Sequence, residues 1–110
     1  MLREGPAPST CHIQRLQSER GFRLSGDLDL MTVEAVREAL QPELRGTLVL
    51  DLAGVRFTDD SGVGLLVGTY RQLRQHGGSL VLRSPREPVT RVLEITGIDR
   101  LEGLRIERDG

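Results

Sequence analysis

The run at residues 47–52, Thr-Leu-Val-Leu-Asp-Leu, constrains the fold more than any other segment of the chain. Its leucines and Val49 occupy both alternating faces of an extended strand, which is typical of a parallel sheet that is covered on each side. Neighbouring parallel strands must be joined by crossover connections, and these are usually helices. The sequence therefore predicts an α/β domain, with a mixed sheet whose parallel portion is flanked by helices.

Strand and helix patterns alternate along the rest of the chain. The expected elements are strands at residues 11–16, 22–25, 47–52 and 80–82, a hairpin loop at residues 17–21, and helices after Thr32, over residues 61–76 and after Pro85. Thr32 is the candidate N-cap of the first helix, and Gly97 ends the last one. The element order is thus β-β-α-β-α-β-α, with Ile106 suggesting a further strand at the end.

Length and composition narrow the class of protein. A chain of 110 residues is expected to form one core, with residues 1–10 as a flexible N-terminal arm and residues 11–110 as the folded domain. The net charge of −1 and the aromatic fraction of 3% disfavour binding to nucleic acid or to an anionic membrane. Cys11 is the only cysteine, which excludes an internal disulfide. With no secretory signal and no long apolar run, we expect a cytoplasmic protein without a cofactor.

The polar segment Thr58-Asp59-Asp60-Ser61-Gly62 lies where a strand gives way to a helix. A hydroxyl at a helix start, next to carboxylates, suits a side chain that another molecule reaches and that can carry an anion. Serine and aspartate are also preferred N-caps, so Ser61 or Asp60 is alternatively expected to cap the helix. Residues 26–29 also follow a strand, and loops at the carboxyl ends of strands cluster, so the two loops are expected side by side.

The helix that starts at Ser61 has one apolar stripe and one leucine outside it. The stripe consists of Val63, Leu66, Val67, Tyr70 and Leu73. Leu65 lies nearly opposite on a helical wheel, so we expect it to face away from the core and to contact a partner. Gly62 and Gly64 would either let a partner's backbone come close or let the helix pack tightly on the sheet.

Taken together, these segments resemble the STAS domain of the anti-sigma-factor antagonist family. The likeness covers roughly residues 12–107 and rests on an ordered set of short motifs. These are residues 26–29, Thr32, residues 48–52 and 57–64, Gly77-Gly78 and residues 93–98. Asp-Ser-Gly alone is common by chance, whereas the whole set at compatible spacing is fairly specific.

The resemblance implies a partner-switching regulator that is not an enzyme. Members bind an anti-sigma factor serine kinase while unmodified, which frees the sigma factor. They are released when the kinase phosphorylates a helix-start serine or threonine, and a metal-dependent phosphatase resets them. The phosphorylated position falls on Ser61. The expected partner-binding residues are Asp29, Thr58, Asp59, Asp60, Gly62, Gly64 and Leu65.

This chain departs from the family pattern at Asp60, where members often carry a hydroxyl residue. The extra carboxylate beside Ser61 would slow phosphoryl transfer, speed release from the kinase, or favour a different partner.

Two other functions stay open at this point. A STAS-type accessory subunit of a lipid ABC transporter would use the same helix face constitutively. A small nucleotide-binding or hydrolytic enzyme would use Asp59, Asp60 and Asp29 as acid–base groups or metal ligands. The motif lacks a nucleophile, a phosphate-binding glycine loop and a nearby basic residue, so we expect neither catalysis nor a metal. The sequence names no sigma factor or kinase, and it leaves open whether a homodimer forms.

Overall fold

The computed structural model describes residues 8–108, which form a five-stranded sheet and three α-helices. The elements are β1 (Cys11–Arg15), β2 (Gly21–Leu28), α1 (Val33–Leu40), β3 (Thr47–Thr58), α2 (Asp60–Gln75), β4 (Ser79–Arg83), α3 (Val89–Thr96) and β5 (Leu104–Glu107), with short 3-10 helices at Gln41–Glu43 and Ile98–Arg100. The expected element order is confirmed, and β5 is the additional strand at the end. Most of the arm expected at residues 1–10 lies outside the described residues.

The sheet combines one antiparallel strand pair with a parallel portion, as the sequence predicts. Its strands lie in the order β1-β2-β3-β4-β5, with β1 antiparallel to β2 and the strands from β2 to β5 parallel to one another. Helices α1, α2 and α3 lie in the connections between consecutive parallel strands. Because parallel strands end at the same edge of a sheet, the loops that follow β2 and β3 emerge next to each other.

One hydrophobic core lies between the three helices and one face of the sheet. Leu48, Leu50 and Leu52 of β3 belong to the same cluster as the buried apolar side chains of α1, α2 and α3. Val49 is also buried, but it lies outside that cluster because alternate side chains point to the second face. The apolar run is therefore buried on both faces, as expected, although all three helices pack on one of them.

A row of charged side chains crosses the second face of the sheet. Arg23, Asp51, Arg83 and Glu107 are neighbours in the register of β2, β3, β4 and β5. Arg23 lies 3.3 Å from the Asp51 carboxylate, and Arg83 pairs with Glu107. The β1–β2 hairpin loop joins them through Glu19, whose carboxylate is 2.7 Å from Arg83 Nη2. We refer to these five residues as the charge row.

Strands β2 and β3 extend further than the sequence predicts, to Leu28 and Thr58. Gly26, expected to break β2, instead lies inside it with φ of +112°, and a Cβ there would collide with the carbonyl oxygen of Thr10. The same oxygen accepts a hydrogen bond from the Asp27 amide at 2.8 Å. Glycine thus lets β2 pass close to the start of β1 and continue to the edge where the two loops emerge.

Helix α2 buries a different arc from the expected apolar stripe. Val63 and Val67 stay partly exposed, whereas Leu65 is only 3% exposed, so the expectation that Leu65 faces outward to a partner is wrong. Its side chain lies beside Leu40 and Leu44 in the groove between α1 and α2. The reason is that α2 packs against α1 as well as against the sheet, so its buried face is wider than one sheet contact requires.

Candidate functional site

Asp59 joins the two loops at the carboxyl edge of the sheet. It is the N-cap of α2, where its Oδ1 accepts a hydrogen bond from the Gly62 amide at 3.1 Å. Its Oδ2 accepts another from the Leu30 amide at 3.2 Å, in the loop after β2. The expectation that these loops lie side by side is confirmed. The expectation that Ser61 or Asp60 caps the helix is wrong, because β3 ends at Thr58 and leaves Asp59 in the capping position.

Ser61 is the second residue of α2, and its side chain is half-buried. Within residues 8–108 its hydroxyl forms no hydrogen bond. The amides of a first helical turn point out of this end of the helix, and the helix dipole favours added negative charge there. Asp60, immediately before Ser61, is exposed. Within the described residues the Ser61 hydroxyl is therefore not engaged in a hydrogen bond. It lies in the first turn of α2, next to Asp59 and Asp60.

Asp29 and Thr32 fix the shape of the loop after β2. Both side chains are buried. Asp29 Oδ1 accepts a hydrogen bond from the Met31 amide at 3.0 Å, and the Thr32 hydroxyl donates to the Asp27 carbonyl at 2.8 Å. Thr32 occupies the expected N-cap position of α1, but its side chain does not bond to a helix amide. Asp29, expected to contact a partner, therefore organises the loop with its own carboxylate.

Gly62 is needed by the chain's own packing. It is buried, and a Cβ there would collide with Thr58 Oγ1 and with the Leu28 carbonyl oxygen. Of the two expected roles for this glycine, the structure supports close packing of α2 on the sheet, and contact with a partner stays a prediction. Thr58 is buried beneath it. Gly64 is exposed, and an added Cβ would meet no atom within 4 Å among the described residues.

Neither a metal-binding cluster nor a membrane-crossing helix occurs among residues 8–108. No group of three or more His, Cys, Asp and Glu side chains in this part of the chain could hold a metal ion. The Asp59 carboxylate already accepts hydrogen bonds from two backbone amides, and Asp29 accepts one. The helices described here lack the length and apolar character that a membrane crossing requires.

Leu30 and Met31 are site residues that the sequence analysis missed. Their side chains are among the most exposed large apolar ones of the described chain, and they lie in the loop that Asp59 holds. A signal was present, because two consecutive apolar residues lie between Asp29, which follows a strand, and the helix N-cap Thr32. Loop residues at such a position have no helical or strand periodicity that would bury them.

The sheet order, the helical crossovers and the helix-start serine together define a class of protein. The family model described as “Mlab, STAS domain” matches residues 11–105, which is most of the chain. The chain therefore belongs to the STAS domain family.

The relatives and solved structures that match carry consistent descriptions. An anti-sigma F factor antagonist from Paenibacillus polymyxa is 36% identical over 83 residues, covering 72% of this chain and 71% of that protein. An anti-sigma-B factor antagonist from Staphylococcus epidermidis is 35% identical over 92 residues, covering 77% of this chain and 85% of that protein. The resemblance stated from the sequence motifs is confirmed.

Two solved structures share the fold. The anti-sigma factor antagonist SpoIIAA in its unphosphorylated form matches with a TM-score of 0.69 and 24% identity, over 92% of this chain and 90% of that one. An anti-sigma factor antagonist from Mycobacterium paratuberculosis matches with a TM-score of 0.67 and 26% identity, over 94% and 90%. The predicted fold class is confirmed.

Proposed function

We propose that this chain is an anti-sigma factor antagonist that works by partner switching. In its unmodified form it binds an anti-sigma factor serine kinase, which then releases its sigma factor. Phosphorylation of Ser61 ends that complex, a metal-dependent phosphatase restores the unmodified chain, and the cycle runs in the cytoplasm. The relatives named as anti-sigma F and anti-sigma-B factor antagonists support the proposal.

The observation that carries the proposal is the state of the Ser61 hydroxyl. It lies in the first turn of α2, half-buried, and none of its hydrogen-bonding capacity is used by the part of the chain described. In the transfer, Ser61 Oγ bonds to the γ-phosphorus of ATP, the bond to the departing ADP breaks, and the hydroxyl proton passes to a base. The kinase supplies that base and its metal ion, so this chain only has to present the oxygen.

The acidic residues around Ser61 account for release after phosphorylation. A phosphate adds about −1.5 to −2 charges at pH 7 next to Asp60 and Asp59. Inside the domain the helix start offsets roughly 0.3–1 kcal/mol of the repulsion, so the fold is retained. In a closed interface, a desolvated dianion that faces a carboxylate costs several kcal/mol. The exposed carboxylate of Asp60 adds to this repulsion and speeds release, while Gly64 on the same face stays open to the partner.

A transporter subunit and an enzyme are less well supported. The curated relatives reported above are antagonists. Of the carboxylates that an enzyme would use, Asp59 accepts a backbone hydrogen bond on each oxygen and Asp29 accepts one, so both are engaged in fixing the two loops. The neighbouring genes distinguish the switch from the transporter subunit. Genes for a sigma factor and a kinase would support the switch, whereas genes for transporter subunits would support the other function.

Phosphorylation mapping tests the proposal. The kinase of the same organism, with ATP, should add one phosphate to the wild-type chain, and tandem mass spectrometry should place it on Ser61. Ser61→Ala should abolish the labelling, whereas Ser18→Ala, which removes an exposed hydroxyl from the hairpin loop, should leave it unchanged. Labelling of Ser61→Ala at the wild-type rate would show that the assigned serine is not the acceptor.

A further inference from the structure

Leu30 and Met31 present two adjacent apolar side chains to solvent at the edge of the candidate site. They are 71% and 73% exposed, although the residues on either side of them, Asp29 and Thr32, are buried. Single exposed apolar residues are common on protein surfaces and need no explanation. Two in succession, in a loop bonded to the cap of α2, form a compact contact surface that we name the Leu30–Met31 anchor.

The backbone of this anchor is held in place by three polar side chains, two of which, Asp29 and Asp59, are among the expected partner-binding residues. Asp59 Oδ2 accepts a hydrogen bond from the Leu30 amide at 3.2 Å, and Asp29 Oδ1 accepts one from the Met31 amide at 3.0 Å. Thr32 Oγ1 accepts a third from the Asp29 amide at 3.0 Å. A loop fixed in this way loses little conformational entropy when a partner covers it, which raises the affinity that two apolar side chains can supply.

The charges around the anchor select the kind of partner. Asp29 precedes the anchor, Asp59 accepts a hydrogen bond from the Leu30 amide, and Asp60 beside it is exposed. The pairs Arg37–Glu34, at 2.6 Å, and Arg56–Asp27, at 3.5 Å, are each neutral, so they leave the charge of these three aspartates uncompensated. The surroundings are therefore acidic, which opposes an anionic lipid surface and opposes a second copy of the same patch. They suit an apolar cleft on a protein, which would also disfavour an added dianion beside the anchor, because the phosphate would lose its hydration there.

We propose that the Leu30–Met31 anchor inserts into an apolar cleft on the anti-sigma factor kinase. The inference rests on the proposed function and adds to it the surface that provides affinity. Asp59 connects the anchor to the first turn of α2, so the phosphate on Ser61 acts directly beside the surface that holds the partner. The anchor contributes binding free energy, and phosphorylation of Ser61 determines whether that free energy is large enough to keep the kinase bound.

The test is a calorimetric titration of the purified kinase from the same organism with the unphosphorylated full-length chain. The double variant Leu30→Gln/Met31→Gln should bind about 10- to 100-fold more weakly, because the complex loses the free energy of burying two apolar side chains. Ile95→Gln is the matched control, since Ile95 is 75% exposed on α3, and it should bind within about twofold of wild type. The milder variant Leu30→Ala/Met31→Ala should lie between, and circular dichroism checks that every variant is folded.

The outcomes separate this inference from the proposed function. If the wild type binds the kinase and is phosphorylated at Ser61 while both anchor variants bind equally well, the anchor is refuted and the proposed function stands. If the kinase does not bind the wild type, both fail. Raising the NaCl concentration from about 0.05 to 0.5 M should change wild-type affinity by less than about threefold, and a strong weakening would show that ion pairs rather than the apolar anchor supply the affinity. Wild-type binding to phosphatidylcholine–phosphatidylglycerol vesicles, or dimerisation, that the double variant abolishes would also contradict the proposal.

Discussion

At the scale of single residues, the position of Ser61 depends on contacts that its neighbours Asp59 and Gly62 make within the domain. Asp59 uses both carboxylate oxygens to bind the amides of Gly62 and Leu30, which fixes the first turn of α2 against the loop after β2. Gly62 lets that turn sit directly on the Leu28 carbonyl and on Thr58. The position of the hydroxyl at residue 61 is thus set by a cap on one side and a close contact on the other.

Replacing Gly62 by alanine tests this close contact. Gly62→Ala should lower the free energy of unfolding by about 1–3 kcal/mol, because the new Cβ would collide with Thr58 Oγ1 and the Leu28 carbonyl oxygen. Gly68→Ala is the control on the same helix, where no described atom lies within 4 Å of an added Cβ. It should raise stability by about 0.5–1 kcal/mol through better helix propensity. Urea unfolding followed by circular dichroism measures both, and equal effects would contradict the contact.

The sequence places Ser61 at the start of α2, as the structure does, but it does not identify the residue that caps the helix. Asp59, Asp60 and Ser61 are all preferred N-caps, so local propensity does not choose among them. The choice depends on where β3 ends, and its pairing of Thr58 with Leu28 determines that end. A contact distant in sequence therefore decides a detail that the motif leaves open.

At the scale of elements, the charge row connects four strands and the hairpin loop on the face opposite the helices. Its central residue is Arg83, which pairs with both Glu19 and Glu107. The hydrogen bond from Arg83 holds the pKa of Glu19 below its ordinary value, and the two carboxylates raise the pKa of Arg83. Because the folded pKa of Glu19 is lowered, its stabilising contribution is complete above the unfolded pKa. It is lost as the pH falls through the lowered value.

Arg83→Gln tests the charge row. The variant should unfold at a lower urea concentration than the wild type near neutral pH, since two carboxylates lose their cation. An NMR titration should also show the Glu19 pKa returning toward its ordinary value. Arg37→Gln removes an exposed pair within α1 and should cost less than about 0.5 kcal/mol. If Arg83→Gln left the Glu19 pKa unchanged, the pairing across the second face would be wrong.

The sequence predicted the strands and helices correctly where apolar periodicity determines them. The predictions were wrong where contacts between distant parts of the chain determine a strand end or the direction of a side chain. The alternation of strands and helices followed from the apolar patterns, and the order is confirmed. Leu65 was predicted to face outward because a helical wheel considers a single packing surface. In the structure α2 packs against α1 as well as against the sheet. The extension of β2 past Gly26 was missed because this glycine allows the strand to pass close to the Thr10 carbonyl oxygen, and no local sequence pattern reveals that contact.

At the scale of the whole molecule, the site and the core occupy different parts of the fold. The hydrophobic cluster lies between the helices and one face of the sheet, whereas Ser61 lies at the carboxyl edge, in the first turn of α2. Ser61 does not belong to that cluster, and a phosphate on its half-buried side chain would be added at the edge of the sheet. The proposed switch therefore needs no rearrangement of the fold, and it acts on whatever surface is placed against the edge.

Kinase affinity before and after phosphorylation is the most direct test of this account. The kinase is titrated with the unmodified chain, with the chain phosphorylated at Ser61, and with a phosphorylated sample restored by phosphatase treatment. The phosphorylated chain should bind at least about a hundredfold more weakly, a loss of about 2.7 kcal/mol, and the restored sample should bind like the unmodified one. Equal affinities for the unmodified and phosphorylated chains would contradict a switch controlled by the charge on Ser61.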